Sequence, residues 1–239
     1  MSCKGRVLCV TSNFPRWVGD STTPFVLHLA HDLQSLGWAV DVLAPHAPDC
    51  AISETIEGVR VERFRYMWPA AQESVCYQGG ALVNLRKHRG NLLKLPPLVF
   101  AEWAAIMRRL AGGRYDLLHS HWMLPQGFAG VLAAKTQRVP HVITVHGGDA
   151  FALRGSFLAR FKRFALRHAD AVTVNSSVTE VAVRQLGPGL TPVHRIPMGV
   201  SIARVSSESP DVVGIKARYC HADGPLLVFV GRVVEEKGV

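Results

Sequence analysis

The chain has 239 residues, 48% of them hydrophobic, which excludes a disordered chain and allows more than one typical domain but not two full ones. Its five cysteines (Cys3, Cys9, Cys50, Cys76 and Cys220) are scattered and never spaced as CxxC, which argues against a zinc ribbon or disulfide framework and for a reducing compartment. A formal net charge of +9 favours anionic partners, while no RNP, KH or zinc-finger pattern supports nucleic acid.

In chain order, "VLCVT" reads as a buried strand over 7–11. The opening apolar run is too short for a signal peptide. A polar loop follows, and Thr23-Pro24 predicts a helix start, with Thr23 as N-cap and Gly37 at the far end. "AVDVLAP" is the second strand, and "EGVRVERFRY" alternates like a half-exposed strand near a sheet edge. The stretch 67–92 follows no period. A helix is expected over about 98–110, its apolar stretch broken by Pro96, Pro97 and Glu102 and too short to span a bilayer.

"DLLHSH" predicts a strand, followed by a helix beginning near Pro125. "HVITVHGGD" predicts a strand and turn. "SFLARFKRFALRHA" predicts an amphipathic helix with Phe157, Leu158, Phe161, Phe164 and Ala165 inward. "AVTVN" is a further strand, with Ser177 and Glu180 expected to form a capping box. "VHRIPMGV" gives one more strand. The polar stretch 201–214 reads as a linker, and "PLLVFVGR" as a fresh strand and loop.

Strands alternating with helices predict an α/β fold, a Rossmann-like parallel sheet with helices on both faces. The domains expected are 1–205 and a partial second unit over 206–239. Ligands bind such sheets at the carboxyl ends of the strands. The segments after the strands are rich in Gly, Ser, Thr, His, Asp and Trp.

In "HGGD", Gly147 and Gly148 permit close backbone approach, His146 stands at the strand end, and Asp149 can cap a helix or accept a hydroxyl hydrogen bond. Taken alone, these residues fit a structural turn, with a hydrogen-bonded His and a capping Asp, better than a chemical site. His119 and His121 lie two apart, on one face of a strand. With His146 and Asp149 they spell a metal cluster that no other ligand pattern supports, so no metal is expected. Trp122 and Gln126 suit an aromatic platform and a polar contact for a sugar. The absence of GxGxxG, GxxxxGK[ST] and GxSxG weakens dehydrogenase, P-loop and hydrolase readings. Arg232 and Lys237, after an apolar run, can clamp a diphosphate through charge-assisted bonds worth roughly 1.5–3 kcal/mol each.

Cations Arg86, Lys87, Arg89, Lys94, Arg108, Arg109 and Arg114 are opposed only by Glu102 across 86–114. This is either a solvated helix face or, with Leu92, Leu93, Leu95, Trp103 and Met107, a patch for an anionic membrane.

Taken in order, "FP…GD…TPFV", "DLLHSHWMLPQG", "VITVHGGD", "ADAVTVNSS", "IPMGV" and "VFVGRVVEEKG" resemble a retaining glycosyltransferase of family 4, over nearly the whole chain. The resemblance implies a two-domain GT-B architecture, of which this chain would hold the acceptor half and the first strand and loop of a truncated nucleotide-sugar domain. It implies a nucleotide-sugar donor, a lipid-linked, polysaccharide or other glycan acceptor, and no metal or other cofactor.

The resemblance also implies residue roles. Gly19 would lie near the sugar donor's diphosphate, with Asp20 on the acceptor side. His146 would approach the transferring sugar, and Asp149 would serve the acceptor or the turn. Arg232 and Lys237 would hold the diphosphate. Two features depart from the family: "GDST" replaces a Gly-Gly pair in the first loop, and the paired-glutamate motif that grips the sugar donor is absent. The 239 residues alone are therefore expected to lack useful transferase activity. The expected location is cytoplasmic, with peripheral contact to the inner face of the membrane as an option. The alternatives are a non-catalytic acceptor-binding or interaction module, and part of a GT-B sugar-nucleotide epimerase.

Overall fold

The computed structural model describes residues 3–20, 22–77, 79–152, 155–199, 211–220 and 225–230. They belong to two compact units, Met1–Met198 and Gly199–Val239.

The larger unit is built on one eight-stranded sheet. Its strands are β1 (Gly5–Val10), β2 (Trp38–Pro45), β3 (Ser53–Ile56), β4 (Val59–Phe64), β5 (Leu117–His121), β6 (His141–Val145), β7 (Ala171–Val174) and β8 (Val193–Arg195), in the order β3-β4-β2-β1-β5-β6-β7-β8. All pairings are parallel except the β3–β4 hairpin at the edge. The "EGVRVERFRY" strand is therefore the second from the edge. Its hairpin partner "SETI", short and polar, gives little sequence signal.

The helices are α1 (Pro24–Ser35), α2 (Ala81–Lys87), α3 (Leu95–Leu110), α4 (Phe128–Gln137), the single turn α5 (Gly148–Phe151), α6 (Ser156–His168) and α7 (Ser177–Arg184). Alternation along β1 assigns the two faces. Val7 and Cys9 pack with Val26, Leu27 and Ala30 of α1. Leu8 and Val10 pack with Leu98, Ala105 and Ile106 of α3 and Ala129 and Ala133 of α4. Beyond β5, Ile143, Val145, Val172 and Val174 meet Ala165 and Leu166 of α6 and Val183 of α7. Each fully buried aliphatic side chain here contributes roughly 1.5–3 kcal/mol, so burial on both faces explains why these strands read as plain apolar runs.

Several local expectations need correction. Helix α1 starts at Pro24, but Thr23 is left-handed (φ 52) and makes no side-chain cap. At α7 the cap is Ser176, whose hydroxyl accepts from the Thr179 amide at 3.2 Å. Glu180 pairs instead with Arg184 at 2.8 Å, one helical turn on. Phe157 of α6 is 68% exposed, whereas Lys162 is buried. Its ammonium donates to the Asp149 carbonyl, which is how a cation comes to replace an aromatic on the inner face.

Segment 67–92 forms 3-10 turns at Ala70–Gln72 and Arg89–Lys94 around α2. Polar pins hold it. The buried Glu73 carboxylate meets His46, Arg65 and the Tyr66 amide, and the Asn84 amide donates to Val75 O and Tyr77 O.

In the smaller unit a helix, α8 (Val212–Tyr219), takes in the last three residues of the expected linker, whose residues 201–210 lie outside the described ones. It is capped by the Asp211 carboxylate, which accepts from the Gly214 amide at 2.8 Å. The predicted strand in "PLLVFV" is not formed over 225–230, where Leu227 and Val230 are about nine-tenths exposed. A strand requires a hydrogen-bonded neighbour, and none pairs with this run among the described residues.

Candidate active site

The sheet order reverses between β1 and β5. From β1 the chain moves outward through β2 and β4, and from β5 it moves the other way through β6, β7 and β8. A crevice at the carboxyl ends of such strands is the expected ligand position in an open parallel sheet. The loops after β1, β5 and β6 meet there.

The β1 loop is held by its own side chains. Asp20 Oδ2 accepts from Arg16 Nε at 2.8 Å and from the Arg16 amide at 2.9 Å, while Oδ1 accepts from the Thr22 hydroxyl at 2.9 Å. Burial works to raise this carboxyl, but the hydrogen bonds from Arg16 and Thr22 outweigh it and hold it down at about 2. The buried Arg63 guanidinium donates to Pro15 O at 2.8 Å and so fastens the loop to β4. Gly19 sits in the left-handed region (φ 86), exposed, with nothing within 4 Å of where a Cβ would stand. The sequence reading gave Asp20 to the acceptor; its carboxylate is instead committed within the loop.

After β5, Trp122 also has positive φ (74), a conformation uncommon for a bulky residue and concentrated at functional sites. Its amide donates to Thr144 O at 2.8 Å, and the turn Met123–Gly127, in which Leu124 is extended (φ −136, ψ 136), leads into α4. Gln126, expected as a polar sugar contact, is buried, and its amide donates to Glu102 Oε1 of α3 at 2.9 Å. Burial raises the Glu102 carboxyl to about 8, against the lowering effect of that hydrogen bond.

After β6, Gly147 has φ 94 and α5 begins at once. Asp149 is buried, and its Oδ2 accepts from the Met123 amide at 2.6 Å. The "HGGD" turn is thereby tied to the residue following Trp122. Burial pushes the Asp149 carboxyl up, opposed by the Met123 hydrogen bond.

The half-buried His146 ring completes the wall. Its centroid lies 4.8 Å from Phe25 of α1, 5.0 Å from Trp122 and 5.2 Å from His121. His146 and Trp122 therefore lie side by side, with Phe25 of α1 as a third ring that the sequence analysis did not single out. Phe25 reaches them from the first turn of α1, a tertiary contact that no local pattern shows. Burial depresses His119 and His146 to about 4, and His121 well below the ordinary imidazole value. All three rings are neutral at physiological pH. Arg232 and Lys237 lie outside the described residues.

The histidines do not join Asp149. Instead Cys9, His119 and His121 bring potential ligand atoms within 4.8 Å of one another. His119 Nε2 is already engaged by Thr144 Oγ1 at 2.7 Å, and the His119 and His121 rings lie 4.4 Å apart at 33°. The trio fits a packed polar layer better than a coordination sphere.

A family model described as "Glycosyl transferase 4-like domain" matches residues 22–199. TuaC of Bacillus subtilis, named as a candidate teichuronic acid biosynthesis glycosyltransferase, is 26% identical over 249 residues, covering 98% of this chain and 60% of that protein. Alpha-maltose-1-phosphate synthase of Mycolicibacterium smegmatis is 32% identical over 136 residues, 52% of this chain and 35% of its own. The chain thus spans 60% or less of these relatives.

Among solved structures, sucrose-phosphate synthase from Thermosynechococcus elongatus superposes with a TM-score of 0.60 at 19% identity, covering 83% of this chain and 49% of that one. Anabaena HepE in complex with UDP and glucose gives 0.53 at 16% identity, covering 90% of this chain and 50% of that one. At those identities the likeness speaks to the fold, that of one half of a GT-B enzyme. On the match over 22–199, the chain belongs to the glycosyltransferase family 4 group.

Proposed function

We propose that the chain forms the acceptor side of a retaining glycosyltransferase that moves a sugar from a nucleotide-sugar to a glycan or lipid-linked acceptor. The wall of Phe25, Trp122 and His146 at the switch point carries this reading. Its rings can cover the C–H face of a sugar by dispersion and burial, while an imidazole nitrogen remains for an oxygen. Open space at Gly19 suits close approach by a diphosphate. HepE was solved with UDP and glucose, which supports a nucleotide-sugar as the sugar donor.

In this reading His146 approaches the transferring sugar and Trp122 receives the acceptor. Asp149, Asp20 and Gln126 act from inside: they shape the turns that carry those groups. Arg232 and Lys237 are proposed to grip the diphosphate and stabilise charge on the departing nucleotide.

The test is product analysis with the full-length gene product, a panel of nucleotide-sugars, and glycan and lipid-linked acceptors. Trp122→Ala is expected to raise KM for the acceptor about tenfold, equivalent to about 1.4 kcal/mol. His146→Ala is expected to lower kcat about 100-fold. Wild-type kcat/KM in both variants would overturn the assignment.

Presentation at a membrane is a finer part of the proposal. Leu93 is 83% exposed and Phe100 64% exposed beside Arg89 and Lys94, and no helix among the described residues is long and apolar enough to cross a bilayer. Vesicles containing anionic lipid are expected to bind the chain and release it as salt rises. Absence of binding at low salt would remove the patch.

A further inference from the structure

We infer that His121 is a positioning residue that holds His146 in its Nδ1–H form, so that His146 meets the reactants as a hydrogen-bond donor and not as a base. This rests on the proposed place of His146 in sugar transfer, and specifies which nitrogen carries its proton.

His121 Nδ1 lies 2.9 Å from His146 Nε2. The ring planes differ by 16° and the centroids are 5.2 Å apart, roughly the N···N contact plus two ring radii. The rings are thus nearly coplanar and joined edge to edge, with the proton on the lone-pair axis. One nitrogen donates and the other accepts, because each neutral imidazole carries a single N–H.

The far side of His121 decides between them. That ring is fully buried, and its Nε2 has no hydrogen-bond partner among the described residues. If His146 donated, the His121 proton would sit on Nε2 as a buried N–H without an acceptor. If His121 donates from Nδ1, Nε2 becomes a bare lone pair, the more readily tolerated orphan. The neighbouring groups offer no anion to reverse this. Cys9, whose sulfur belongs to the same close group, has a thiol that burial pushes up to about 12, with Asp41 adding to the rise, so it is protonated. His119 is engaged through Nε2 with Thr144 Oγ1.

His121 therefore donates, and His146 accepts at Nε2 and keeps its proton on Nδ1. An Nδ1–H can bond a sugar hydroxyl, ring oxygen or phosphate oxygen, but cannot remove a proton. Burial and the His121 donor keep Nε2 unprotonated as well.

The experiment is two-bond proton–nitrogen correlation on the 239-residue chain labelled with 15N-histidine, at neutral pH, with signals assigned through His146→Gln and His121→Gln. The expected pattern is Nδ1–H with a bare Nε2 in both His121 and His146. His146 protonated at Nε2 in the wild-type chain would overturn the inference.

His121→Phe keeps a ring but removes the donor. It is expected to switch His146 towards the Nε2–H form, and His121→Gln, which restores an N–H, to bring the Nδ1–H form back. An unchanged tautomer in a folded His121→Phe chain would contradict a positioning role. If that variant does not fold, the wild-type pattern decides alone. The readout needs no turnover, so failure of the transferase reading would appear in the product assay and not here.

Discussion

At the residue scale, the histidines at the strand ends are neutral. Burial holds His119 and His146 at about 4 and His141 at about 3, with the charge of His119 lowering the latter two further. An unfolded histidine titrates near 6.5. The unfolded chain therefore binds more protons between those values, and stability is expected to fall as pH drops from about 6.5 towards 4. Glu102 works in the opposite sense. With its folded value at about 8 against about 4.5 unfolded, the native carboxyl keeps its proton while the unfolded one has lost it, so its contribution to stability declines as pH rises from about 4.5 to 8. Glu102→Gln keeps an acceptor for Gln126 and is expected to flatten the decline between pH 5 and 8 by at least about 1.4 kcal/mol, the equivalent of one pKa unit. Urea titrations at the two pH values measure it; an unchanged slope would show that Glu102 is ionised in the fold. None of this was legible in sequence, where Glu102 was only the lone acid in a basic window.

At the element scale, legibility followed periodicity. Strands buried on both faces and helices with an apolar stripe were readable, because the pattern that folds them is local. Segment 67–92 was not, because Glu73, Asn84 and Asn91 hold it through bonds to distant backbone and side chains. The cap of α7 was misread by one residue for a related reason: two adjacent serines offer the same chemistry, and only the backbone chooses. Gly130 of α4 is a second feature with no local signal. A Cβ there would stand 2.6 Å from Ser120 Oγ and 2.7 Å from His141 Nε2, which themselves share a 2.8 Å hydrogen bond. Close approach of α4 to β5 and β6 fixes this residue as glycine. Gly130→Ala is expected to cost about 1–3 kcal/mol through overpacking, seen as a lower denaturation midpoint with little change in slope. A variant as stable as wild type would mean that α4 can move away from the sheet at no cost.

At the scale of the whole molecule, chain order alone carried the α/β architecture and the family. The site was legible as a set of strand-end loops but not as a set of contacts. His146 and Trp122 were identified with the right neighbourhood. Cys9 joins the group through the β1–β5 pairing, where it faces His119, and Phe25 reaches the rings from α1, while His121, grouped with His146 in the sequence only as a metal ligand, meets it nitrogen to nitrogen at 2.9 Å. Asp20, Gln126 and Asp149 were recognised as polar loop residues, yet their partners are Arg16, Glu102 and the Met123 amide, which spacing along the chain does not reveal. The central claim is that the ring wall at the switch point receives the acceptor. Its most direct test is titration of glycan and lipid-linked acceptor fragments into the 239-residue chain while the Trp122 indole N–H and the His146 ring signals are followed. The account predicts saturable shifts at both residues, lost for that ligand in Trp122→Ala. Binding that shifts signals elsewhere while leaving Trp122 and His146 unmoved would contradict it.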